Sequence, residues 1–78
     1  MQYRRNRIPL TPHSEQLMVA KVLRHELLHY ISTREHPCNW TPSGMLEAAS
    51  KFTGVAYRGG QYRLAAQDLT ILIMMVQQ

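Results

Sequence analysis

TPHSEQLMVAKVLRHELLHYISTR, residues 11–34, reads as one long amphipathic helix, and the rest of the fold is worked out from it. At about 100° per residue, Leu17, Ala20, Leu23, Leu27, Leu28 and Ile31 gather on one side as a core stripe. Thr11 followed by Pro12 supplies an N-cap and a proline at the first helical position, and Glu15 suits the positive end of the helix dipole. The helix must stop before Pro37, whose ring disfavours helical geometry in the residue ahead of it. His25 and His29 then point away from the core, with Met18 and Val22 beside them. The outer side of this helix is therefore partly apolar, and packing accounts for only one of its faces.

Downstream, Thr41-Pro42 repeats the start signal. Trp40 ahead of the cap and Met45 at the fourth helical position match a hydrophobic staple, which sets how the chain enters a second helix over about 42–53. Met45, Ala49 and Phe52, edged by Leu46 and Ala48, form its apolar face, and Gly54 fits the left-handed position just past its end. Val55-Ala56-Tyr57 is an extended connector and Arg58-Gly59-Gly60 a turn. A third helix follows over about 61–76. Tyr62, Ala65, Ala66, Leu69, Leu72, Ile73 and Val76 line one side of it, while Leu64, Ile71, Met74 and Met75 fall on the other. A chain of 78 residues has one inside, so the second apolar side calls for a partner.

The expected fold is all-α, a small three-helix domain of residues 11–78 preceded by an extended basic arm, residues 1–10. Short connections favour antiparallel neighbours, with a more crossed arrangement left open. The length allows one domain with a modest core. An apolar fraction of 45% with 18% charged residues is that of a folded chain rather than a disordered tail. A single cysteine, Cys38, forms no internal disulfide, so a reducing cytoplasm is the expected location. The basic start runs into Pro9 and Pro12 with no apolar run behind it, unlike a signal peptide. The longest apolar run, Ile71 to Val76, falls far short of the roughly 20 residues of a membrane span. A soluble protein is expected.

The one string with catalytic character is His25-Glu26-Leu27-Leu28-His29. On a helix it places two imidazoles one turn apart on one face, where they bind zinc while the glutamate acts as general base on the metal-bound water. With four histidines in the chain, composition alone yields such a string about once in a hundred shuffles. These five residues resemble the zinc metallopeptidases, which would make His25 and His29 metal ligands and Glu26 the base. The rest departs from the family. Where its extended pattern has a glycine and a third histidine, this chain has Ser32 and Glu35, with His36 one place late. Glu47 is the candidate for a glutamate from a second helix, without the motif that accompanies it. Those enzymes also lay substrate along an edge strand ahead of the helix, and no convincing strand precedes His25. A structural zinc on His25, His29, His36 and Cys38 has the right ligand types at an unfamiliar spacing. The favoured reading is a non-enzymatic chain with no cofactor, its histidines on the surface as an open pair without a third ligand, so that no transition metal is bound tightly at neutral pH.

Two binding readings remain. Net charge is +4, and Arg4, Arg5 and Arg7 cluster in the arm, as in arms that enter the minor groove of DNA; Lys51, Arg58 and Arg63 would add phosphate contacts. The Val55–Gly60 connector is, however, longer than the turn of a helix-turn-helix. The favoured alternative is a protein-binding module that uses Met18 and Val22 on the first helix and Leu64, Ile71, Met74 and Met75 on the third. Methionine adapts its shape and is common at such surfaces. A homodimer through the third helix is the expected arrangement. Finally, Thr41-Pro42-Ser43-Gly44-Met45-Leu46-Glu47-Ala48-Ala49-Ser50-Lys51-Phe52-Thr53-Gly54, with Tyr57-Arg58-Gly59-Gly60-Gln61-Tyr62 and Ala65-Ala66-Gln67-Asp68-Leu69, resembles small proteins of bacterial phages and prophages. The resemblance implies no particular activity; the chain is expected to be a phage- or prophage-type regulator with a host or phage regulator as its protein partner.

Overall fold

A computed structural model describes Leu10 and residues 14–77. The expected cap at Thr11-Pro12 and the arginines of the arm, Arg4, Arg5 and Arg7, lie outside the described residues. Three helices make up the fold: α1 Glu15–Thr33, α2 Pro42–Thr53 and α3 Tyr62–Val76. It is an all-α, three-helix domain.

Helix α1 starts later than the sequence suggests. Ser14 is its cap, in extended geometry, and its hydroxyl accepts a bond from the Leu17 backbone N–H at 3.1 Å. A serine oxygen meets an otherwise orphaned donor of the first turn as well as the threonine at position 11 would. The helix ends at Arg34, which takes the left-handed conformation at φ 64° and donates its N–H to the Tyr30 carbonyl at 2.8 Å. No glycine is present there, so a side chain bears the strain of the cap.

Helix α2 has the expected bounds. The Thr41 hydroxyl accepts from Gly44 N–H at 3.0 Å, Pro42 opens the first turn, and Gly54 closes the helix at φ 77° with its N–H on the Ser50 carbonyl. Gly44 is small for a reason: a Cβ there would sit 3.0 Å from the capping hydroxyl. The turn into α3 is tied by Gln61, whose side-chain oxygen accepts from Arg58 N–H at 2.8 Å while its own N–H donates to the Arg58 carbonyl. Gly60 takes φ 92° in that turn.

Leu17, Ala20, Leu23 and Leu27 from α1, Met45, Leu46, Ala49 and Phe52 from α2, and Ala65, Ala66, Leu69 and Ile73 from α3 form one core. Tyr62, Leu72 and Val76 pack against it half-buried, completing the inner stripe expected of the third helix. The alanines let α3 approach its neighbours closely. Two residues of the expected α1 stripe lie at its margin: Leu28 is 41% exposed and Ile31 half-buried. Leu28 stands about 100° from Leu27, far enough round the helix to leave the core. Arg24 meets Thr70 and Tyr30 meets Tyr62, so position rises along α1 as it falls along α3, and the two helices run antiparallel.

Candidate functional site

The outer side of α1 faces an open hollow of about 590 Å³, lined by His25, Glu26, His29 and, beyond the helix end, Arg34, Glu35, His36 and Pro37. Helix termination builds it. The Thr33 hydroxyl donates to the His29 carbonyl at 2.9 Å and accepts from Glu35 N–H at 3.2 Å, folding the chain back over the last turn. The Glu35 carboxylate thereby comes within 3.5 Å of His29 Nε2. With both side chains largely in water, such a pair contributes well under about 1 kcal/mol. The Arg34 guanidinium lies over the Tyr30 ring, 5.5 Å from its centroid, and Tyr30 meets Tyr62 edge to face at 5.0 Å. This stack fixes the rim of the hollow against the start of α3. His36 Nδ1 lies 2.9 Å from the Trp40 carbonyl and 3.1 Å from that of Pro37. Carbonyls only accept, so Nδ1 is the donor in both contacts.

The hollow gathers the histidines without completing a metal centre. Among the described residues no group of three His, Cys, Asp or Glu side chains is placed to share one ion. Glu47 lines a different hollow, of about 310 Å³, with Ser43, Leu46, Ser50, Tyr57 and Gly59. It does not join His25 and His29. Cys38 is exposed and is not part of the histidine hollow. The described residues contain three helices and no strand.

The outer face of α3 lies where its periodicity puts it. Ile71 is 50% and Met75 65% exposed, and Leu64 and Met74 are exposed as well. Met18 and Val22 are likewise exposed on α1. Lys51, Arg58 and Arg63 are exposed at the end of α2, in the connector and at the start of α3. Among the described residues no helix is long and apolar enough to cross a membrane.

Sequence reading missed the polar contacts that join the elements. Arg24 donates from Nε to Thr70 Oγ1 at 2.6 Å. Tyr57 donates its hydroxyl to Asp68 Oδ2 at 2.7 Å and lies 2.9 Å from Thr53 Oγ1. Half-burial raises the Tyr57 hydroxyl far above the ordinary tyrosine value; the bond from Thr53 lowers it, and the bond to Asp68 and that carboxylate's charge raise it further. Ser50 Oγ is buried and has no partner among the described residues. The only sequence signal for these contacts was that a tyrosine and an aspartate are unusual in an otherwise apolar seam.

No family model matches the chain, and no curated protein or solved structure is significantly similar to it. The fold and its surface are the guide to what it does.

Proposed function

We propose that this chain is a small non-enzymatic interaction module that associates with itself through the outer face of α3 and presents apolar surface to a protein partner. The observation that carries this reading is the pair of opposite stripes on α3. One stripe is buried through Ala65, Ala66, Leu69 and Ile73, and the other leaves Leu64, Ile71, Met74 and Met75 in water. Leu64, Ile71 and Met75 fall within about 40° of one another, a contiguous patch rather than scattered apolar residues. Met74 extends the patch toward α1. Burying three such side chains contributes about 1.5–3 kcal/mol each before ordering and association costs, enough for a dimer or a host-protein interface.

The partner in this reading is a host or phage protein, as a resemblance of stretches within residues 41–69 to phage and prophage proteins would imply. A second reading, nucleic-acid binding through Arg4, Arg5 and Arg7 with Lys51, Arg58 and Arg63, is favoured by the exposure of the last three. A pull-down from bacterial lysate separates the two. The protein reading predicts capture that survives nuclease and is lost in the Ile71→Glu/Met75→Glu variant. Capture that vanishes with nuclease overturns it.

A further inference from the structure

His25 and His29 stand one turn apart on the outer side of α1, both exposed. Two imidazoles so spaced chelate one zinc ion. Zinc is four-coordinate, however, and the described residues bring no group of three ligand side chains together. The described residues of one chain supply half of a site.

The surroundings of the pair suit a cation and an approaching helix. The chain carries +4, yet the charged residues lining the hollow are Glu26, Glu35 and Arg34, which leave it acidic when the histidines are neutral. Glu35 Oε1 lies 3.5 Å from His29 Nε2, so a negative charge stands beside the imidazole. Toward the N-terminus the same stripe continues as Val22 and Met18, exposed at 51% and 65%. An apolar run leading up to the ligand pair gives a second helix something to pack on.

We infer that His25 and His29 form a zinc half-site that a second copy of this chain completes, giving a four-histidine centre between two α1 helices. The second copy is the occupant that the donor set selects. A two-fold axis through the ion doubles two ligands to four and saturates the tetrahedron with no water left on the metal. The same operation brings the Met18 and Val22 stripe of one copy toward that of the other. Such a centre is closed, hence structural, and Glu26 has no metal-bound water to activate. This interface lies on α1, apart from the α3 face, so it adds to the proposed function rather than restating it. With both faces in use, zinc links α3-paired dimers into larger assemblies.

The test uses the full chain purified with chelator and titrated with zinc chloride, its mass read by sedimentation velocity and its metal content measured after gel filtration. In the Ile71→Glu/Met75→Glu background, zinc should double the mass at one ion per two chains, and EDTA should reverse it. His25→Ala and His29→Ala, at exposed positions, should each abolish the doubling while the helical circular dichroism stays unchanged. Should the α3 variant fail to fold, the wild-type chain reads the same zinc dependence as a rise above its zinc-free mass that EDTA reverses and that His25→Ala or His29→Ala abolishes. Binding of one zinc per chain without a change of mass overturns the inference. So does the absence of bound zinc, or doubling that persists when both histidines are replaced. Association without zinc tests the α3 face and zinc-driven doubling tests the α1 face, so either fails independently of the other.

Discussion

Arg24 Nε donates to Thr70 Oγ1 at 2.6 Å, and the Thr70 hydroxyl donates in turn to the Ala66 carbonyl at 2.8 Å. This contact sets the rotation of α3 against α1. With Thr70 turned toward α1, Ile71 lies about 100° further round and Met75 beyond it, both away from the core. The exposed stripe on α3 thus follows from a specific polar contact as well as from the burial of the alanines opposite. Thr70→Val keeps the shape and removes the acceptor. It should cost about 1 kcal/mol, seen as a lower urea midpoint at unchanged slope. An unchanged midpoint would mean that the Arg24 contact does not hold the two helices.

Tyr57 joins the connector to α3 through Asp68. Tyr57→Phe leaves the half-buried Asp68 carboxylate without its donor and should destabilise by about 1.5 kcal/mol, measured by denaturant unfolding. The pH dependence follows from the direction of the shift. Because the folded state holds the Tyr57 proton above the ordinary tyrosine value of 10.0, this contribution is intact below that pH. It is lost as pH rises above it, where the unfolded chain releases the proton first. Melting temperature should therefore fall more steeply above pH 10 in the wild type than in Tyr57→Phe. Equal slopes would contradict the assignment.

Much of the fold was legible because each helix carries its signals locally. Thr41, Pro42 and Gly54 bound α2 as read, and the two stripes of α3 separate as their periodicity requires. The start of α1 was misread because Thr11 and Ser14 are both good caps and sequence offers no way to rank them. Leu28 was misplaced because an apolar residue at the edge of a stripe is assigned by the width of the partner helix, which sequence does not give. The site was less legible. Its string of histidines stood out, but the approach of Glu35 to His29 depends on a left-handed Arg34, a residue type that seldom ends a helix in that way. The contacts of Arg24 and Tyr57 join residues far apart in the chain and leave no periodic trace.

Gly54 closes α2 at φ 77° and is buried. Gly54→Ala forces an L side chain into the left-handed region and should cost about 1–2 kcal/mol in thermal or urea unfolding. Arg34 already occupies that region at the end of α1, so Arg34→Gly should be neutral or stabilising there. Opposite signs for the two variants are expected. A destabilised Arg34→Gly would show that the stack on Tyr30 outweighs the backbone strain.

For the nucleic-acid alternative, neutralising three phosphates implies a slope of about −3 in log affinity against log salt on duplex DNA. Removal of residues 1–7 should abolish most of that affinity. A full-length chain that shows no binding at low salt excludes this reading.

The central claim is that the outer face of α3 is an interface, and sedimentation equilibrium with chelator present tests it most directly. The wild-type chain is expected to show a concentration-dependent mass approaching that of a dimer. Ile71→Glu/Met75→Glu is expected to show a monomer mass at every concentration, with its helical circular dichroism retained. A wild-type chain that is monomeric throughout contradicts the self-association, and a double variant that loses its helix shows that this face belongs to the core.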